Sequence, residues 1–271
     1  MIAPWQQRQK KMSFNQLEIE VAELISNCSG RASIYLQTPE GIIDIKGQEI
    51  YSSASLIKIP ILIEGYRQYE KNIVDLQEIV PIPLEKVTTG AGIIQALSPD
   101  RMMKMIDLMT MMIIVSDNTA TNLLINRLGI DNINKCMGSI GLKSTKLQRE
   151  MMDFIALNNN IDNKTTASDM VLALKAMKEE SFLSAASSQQ ALSILAYQQF
   201  LKLAEGMDLE QVNVASKTGE LPGVQHDCAV ISHGDRIVYV AVLIDGLEDQ
   251  EMGRHTIVEI GRSLNKYVMG A

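Results

Sequence analysis

The hydrophobic period of this chain changes twice, and that pair of changes limits its architecture more than any other feature. Near the amino end Ala32-Ser-Ile-Tyr-Leu-Gln alternates, Pro39-Glu-Gly41 supplies a turn and Ile42-Ile-Asp-Ile-Lys runs back, which is a hairpin pattern. From Asp75 to about Ala204 the ordered segments carry helical spacing, punctuated by Gly90, Gly92, Gly129, Gly141 and the Asn158-Asn-Asn160 run. Within that stretch, a helix is expected over Asn118 to Leu128, capped by Gly129, and another after Thr165-Thr-Ala-Ser-Asp169. After Gly206 the period returns to two. Val212 and Val214 lead into Ser216, Ala229-Val-Ile231 forms a second strand, and Ile237 to Ile244 a third beyond a Gly234-Asp235 turn. Helices at Leu17 to Ile25 and Ile257 to Tyr267 flank these strands. The expected class is therefore α+β: one antiparallel sheet joining both ends of the chain, flanked by terminal helices, with an all-helical lobe inserted. The sheet lobe is expected over about 1–54 and 205–271 and the helical lobe over about 55–204, within one domain of 271 residues.

Composition removes several function classes. A net charge of −7 argues against a nucleic-acid surface, and a hydrophobic share of 46% is that of an ordinary globular protein. Cys28, Cys136 and Cys228 are far apart and form no Cys-x-x-Cys pair; His226, His233 and His255 form no His-Glu-x-x-His. No metal or other cofactor is expected. The longest apolar-looking run, Met102 to Val115, is broken by Lys104 and Asp107, so no membrane span is expected. Residues 1–11 are polar and lead into Ser-Phe-Asn-Gln-Leu-Glu in place of an apolar leader core. The chain as it stands reads as cytoplasmic; a chain whose leader had been removed for export would read the same. Oligomeric state has no mark in the sequence.

Chemistry concentrates at Ser55-Leu56-Ile57-Lys58. On a helix, residues three apart share a face, so an amine there lies within reach of the hydroxyl. Serine needs an adjacent base, and a lysine serves when burial or nearby cations hold it neutral. The same four residues also describe a helix cap followed by a surface lysine. Ser116-Asp117-Asn118 places a hydroxyl and an amide after the apolar run Met111-Met-Ile-Ile-Val115, and it equally suits helix capping. Lys217-Thr218-Gly219 ends the Val212 strand with a cation for a carboxylate, a hydroxyl, and a glycine that lets a ligand approach the backbone; it also reads as an exposed strand end before a turn.

Together and in this order, the three motifs resemble the signature set of the class A serine β-lactamases and the related penicillin-binding proteins. The resemblance extends from the Ala32 strand to the final helix. It implies Ser55 as nucleophile, Lys58 as its proton partner and Ser116 as the relay to the leaving nitrogen. Asn118 would position Lys58 and the substrate amide, while Lys217 and Thr218, beside Gly219, hold a carboxylate. The backbone N–H groups of Ser55 and Glu220 would form the oxyanion hole, in which one donor is typically worth roughly 3–4 kcal/mol. The implied substrate is a β-lactam or a peptide-like small molecule with a carboxylate. Two departures stand out. The family's omega loop has a glutamate two residues after an arginine; here Arg149 is followed by Glu150 and then Met151, with Asp153 nearby. His226 falls near where many penicillinases carry an arginine that assists the carboxylate. The expectation is a serine hydrolase that forms an acyl-enzyme and deacylates slowly. The alternatives are a peptidase or esterase of the penicillin-binding-protein type and a sensor that traps β-lactams.

Overall fold

The computed structural model describes residues 12–99, 101–179 and 182–270. The segment 1–11, read above for a leader, lies outside them. Helix α1 (Phe14–Ser26) starts in a capping box between Ser13 and Gln16 and buries Leu17, Val21 and Ile25, the 3.6-residue stripe visible in the sequence. Strands β1 (Arg31–Gln37) and β2 (Ile42–Ile45) form the hairpin, with Leu36 opposite Ile43. Next come β3 (Tyr51–Ser52), a 3₁₀ turn over Ala54–Ile57, and α2 (Lys58–Glu70). Pro60 is tolerated in the first turn of α2, where the backbone N–H has no intrahelical partner to lose.

The middle of the chain runs through β4 (Ile79–Ile82), β5 (Arg101–Lys104), α3 (Met105–Ile114), α4 (Asn118–Leu128), α5 (Ile130–Ile140), α6 (Phe154–Asn158), β6 (Lys164–Thr165), α7 (Ala167–Lys178) and α8 (Ala185–Ala196). The closing elements are β7 (Asn213–Leu221), β8 (Val224–His233), β9 (Arg236–Asp245) and α9 (Gln250–Met269). The main sheet has the order β2-β1-β9-β8-β7, antiparallel throughout, so the first strand pairs with the last and Ile34 lies opposite Val242.

Both faces of this sheet are covered, which explains why Ile237 to Ile244 is nearly all apolar instead of cleanly alternating. Val238, Val240, Val242 and Ile244 pack with Leu17, Ile257 and Leu264 of the terminal helices. Tyr239, Ala241 and Leu243 pack the other way, with Ile61 of α2 and Met170 and Leu174 of α7. Helix α2 is the buried axis of that second core, with every residue from Lys58 to Tyr66 inaccessible.

Two expectations need correction. The middle of the chain is not all helix, because β4 pairs with β5 and β6 pairs with β3 as two small antiparallel ladders. Strands of two to four residues are too short to display a period, and Pro81 in β4 disguises one further. Ser55 also lies in the 3₁₀ turn that feeds α2, not in the α-helix itself. Among the described residues no helix is long and apolar enough to cross a membrane. Among the same residues no group of three or more His, Cys, Asp or Glu is placed to hold a metal ion.

Candidate active site

Three non-glycine residues with left-handed backbone mark the site. Ala54, just before Ser55, has φ 43°, Ser116 has φ 56° and Met152, on the loop wall, has φ 62°. Such conformations cost of order 1–3 kcal/mol and persist only where the surroundings hold them. Here Leu56 and Ile57 are fully buried beneath the Ser55 turn, and Ser53 N–H donates to the Asn163 carbonyl at 2.8 Å. Ser55 itself is half-buried and lines two adjoining cavities of about 200 and 280 Å³ that also share Ala91 and Glu220.

Behind Ser55, the Lys58 amine is inaccessible to solvent. Its Nζ lies 2.6 Å from the Ser116 carbonyl, 3.0 Å from Ser116 Oγ and 3.1 Å from Asn118 Oδ1. Burial drives its pKa well below the usual lysine value, with Lys217 pushing the same way and Asp117 opposing. The Ser116 carbonyl and Asn118 Oδ1 can only accept, so a neutral amine fills them with its two N–H groups and keeps its lone pair for a hydroxyl proton. The turn that carries Ser116 is fixed by Asp117, which caps α4 through Ala120 N–H at 3.0 Å and takes Ile94 N–H at 2.8 Å. Asn118 Nδ2 donates to the Thr89 carbonyl at 3.1 Å, which leaves its Oδ1 for Lys58.

The facing wall is the edge strand β7. Lys217 is fully buried and its Nζ donates to the Thr218 carbonyl at 2.8 Å and to Ser116 Oγ at 3.3 Å, so one hydroxyl touches both lysines. Burial lowers the Lys217 pKa to about 7. Thr218 and Glu220 line the cleft with Ser55. Gly219 lets the Ser55 turn pack close to β7: a Cβ there would stand 3.2 Å from Ala54 Cβ and 3.4 Å from Leu56 Cγ. His226 is displaced from its expected role. Its ring is fully buried against Tyr51, with Nε2 3.0 Å from the Ser52 carbonyl and Nδ1 2.9 Å from the Gln225 carbonyl and 3.1 Å from the Ile244 N–H. Burial lowers its pKa to about 4, so it is neutral and unavailable to a carboxylate.

The remaining wall is the loop from Arg149 to Asn163. Its neck is closed by Arg149 on Asp162 at 2.8 Å, and Ser52 Oγ donates to Asp162 at 2.6 Å, which ties the loop to the strand just before the Ser55 turn. Asn122 grips the Met151 backbone from α4, accepting from its N–H at 2.7 Å and donating to its carbonyl at 3.1 Å. Met151, buried in the adjoining core, thereby lines the cavity beside Met152, Phe154 and Leu157. The two neighbouring carboxylates are engaged elsewhere: Glu150 accepts from Asn126 Nδ2 at 3.0 Å, and Asp153 caps α6 through Ala156 N–H at 2.9 Å. Neither lines the cavity.

A sequence profile described as "Beta-lactamase enzyme family" matches residues 16–268. The chain belongs to the β-lactamase enzyme family. Among solved structures it is similar to the β-lactamase of Sphaerobacter thermophilus, at 27% identity and a TM-score of 0.85 over 93% of this chain and 96% of that one. A variant of the class A β-lactamase of the last common ancestor of Gram-negative bacteria matches at 25% identity and TM-score 0.83, over 92% of this chain and 97% of that one. PBP-A, in a leucine-to-glutamate variant solved as an acyl-enzyme with penicillin G, matches in fold at 22% identity and TM-score 0.84, over 94% and 97% of the two chains. No curated protein sequence matches.

Within this β-lactamase-family fold, residues outside the three motifs also brace the cleft: Asn122 and Asn163 through the loop backbone, Asp162 through Arg149 and Ser52, and Lys202 through the Gly219 carbonyl. Asn122 was within reach of sequence reasoning, since it lies one turn after Asn118 on the same face of α4. Asp162, Asn163 and Lys202 sit in irregular segments where no period or motif marks them.

Proposed function

We propose that the chain is a serine hydrolase that opens β-lactams, or acylates on peptide-like substrates bearing a carboxylate, through a covalent acyl-Ser55, and that deacylation is its slow step. The observation that carries this reading is the Lys58 amine, fully buried so that its pKa falls well below the usual lysine value, and hydrogen-bonded to Ser116 and Asn118 one turn from Ser55. Lys58 takes the Ser55 Oγ proton as the oxygen attacks the carbonyl carbon. The resulting oxyanion is met by the backbone N–H groups of Ser55 and Glu220. Ser116, in contact with Lys58 and Lys217, passes a proton to the departing nitrogen as the C–N bond breaks. Lys217 and Thr218 hold the carboxylate. Hydrolysis of the ester then needs a base to activate water, and the glutamate accepted for that task in this family is replaced by Met151. The PBP-A acyl-enzyme supports the capacity of this fold to hold a penicillin covalently.

Intact-mass measurement after adding penicillin G tests the reading. The wild type gains one penicillin and Ser55→Ala gains none. An adduct that survives in Ser55→Ala rejects Ser55 as nucleophile.

A further inference from the structure

Beneath the oxyanion strand lies a buried cation that the steps above leave without a task. Lys202 comes from the segment after α8 and is 4% exposed. Its Nζ donates to the Gly219 carbonyl at 3.2 Å and the His226 carbonyl at 3.4 Å, and stands 3.6 Å from the Glu220 carboxylate. Fully buried Asp227 faces it from β8. One Asp227 oxygen accepts from Leu203 N–H at 2.9 Å, which ties the Lys202 segment to the sheet, and the other has no hydrogen-bond partner among the described residues; burial raises the Asp227 pKa to about 7. Burial lowers the Lys202 pKa; Asp227 and Glu220 oppose that shift and Arg254 adds to it. A buried ammonium is costly unless paired, so this one is held in place by its neighbours for some return.

The peptide geometry shows what that return is. Among the described residues no peptide bond is cis, so the Gly219 C=O and the Glu220 N–H, which belong to one planar unit, point in opposite directions. Gly219 sits opposite His226 in the β7–β8 ladder with its carbonyl toward β8, and Lys202 braces that arrangement by donating to the carbonyls of both. The Glu220 N–H therefore points off the free edge of β7, into the cleft that Glu220 lines. A hydrogen bond to an amide oxygen also polarises the amide and strengthens its N–H as a donor.

We propose that Lys202 is a positioning residue for the oxyanion hole, fixing the Gly219–Glu220 peptide so that the Glu220 N–H meets the acyl oxygen. The inference rests on the acyl-Ser55 reading. Its readout is the acyl-carbonyl stretch in infrared difference spectra of the penicillin G adduct, measured alongside the acylation rate. Lys202→Met shifts the stretch to higher frequency and slows acylation about tenfold, a fraction of the roughly 10²–10³ that one lost oxyanion donor costs. Lys202→Arg restores both. Lys202→Gln, which keeps a donor for the Gly219 carbonyl without the charge, gives an intermediate shift and serves if Lys202→Met does not fold. An unchanged stretch in the methionine or glutamine variant overturns the proposal, even where the rate falls. Weaker binding of carboxylated substrates with an unchanged stretch makes Lys202 a substrate contact and also overturns it. A wild type that forms no adduct removes the acyl-Ser55 reading first, and the wild-type sample alone reveals that.

Discussion

The two walls of the cleft are built from opposite chemistry. On one, Lys58, Ser116, Asn118 and Lys217 form a single hydrogen-bonded network with its side chains turned inward. On the other, the Arg149–Asn163 loop uses its polar groups to hold itself together: Arg149 on Asp162, Asn163 on the Arg149 backbone and Asn122 on the Met151 backbone. That wall lines the cavity with Met151, Met152, Phe154 and Leu157 alongside Arg149, Asp162 and Asn163. The two walls are thus separable parts of the molecule, and the one loop carboxylate that lines the cavity, Asp162, is already engaged by Arg149 and Ser52.

The largest effect comes from breaking the polar wall. Lys58→Ala removes the base and slows acylation by about 10²–10⁴ in a stopped-flow assay with a penicillin. Wild-type acylation rates in that variant would mean that the network is structural.

Equipping the other wall with a base gives the next largest change. Met151→Glu, carried on a backbone already gripped by Asn122, speeds deacylation by roughly 10² or more while acylation stays within about twofold, since a positioned base contributes about 10²–10⁴. Persistence of the adduct in that variant would show that a carboxylate alone does not complete the loop wall.

A smaller effect separates the two lysines. Lys217 titrates at about 7 because burial disfavours its charge. Its ammonium form is thus present below about pH 7 and lost above it, so KM for carboxylated substrates rises as pH increases through 7 while KM for a neutral ester does not. Lys217→Ala lowers kcat/KM about 10- to 100-fold for carboxylated substrates, the worth of one charge-assisted hydrogen bond, and abolishes that pH trend. Equal losses on p-nitrophenyl acetate would point away from carboxylate recognition.

The mildest change loosens the loop. Arg149→Ala breaks a partly buried pair and costs about 1–3 kcal/mol by urea unfolding, because Asp162 is left without its guanidinium partner. A cost below about 0.5 kcal/mol, the level of an exposed pair, would show that the neck is fastened chiefly by Asn163 and Ser52.

The polar wall was the more legible of the two. Ser55, Lys58, Ser116, Asn118, Lys217 and Thr218 lie in short motifs at element boundaries, and the structure brings them around one cleft. The sheet joining both ends was legible because long strands display their period, and α4 because Gly129 caps it. The β3–β6 and β4–β5 ladders were not, being too short for any period. His226 shows a different limit. A residue beside a motif is placed by ladder register and by what packs on it, here Ser52, Ile244 and Tyr51, and none of these is visible from the local sequence. Gly219 was read for a ligand because a strand glycine marks a close approach without naming what approaches.

The asymmetry between the walls is tested most directly by the pre-steady-state time course of nitrocefin hydrolysis by the wild type. Acylation that outruns deacylation gives a burst of one product per enzyme followed by a slow steady state. Rapid turnover with no burst, lost on Glu150→Gln or Asp153→Asn, would contradict the account and identify the base that replaces the missing glutamate.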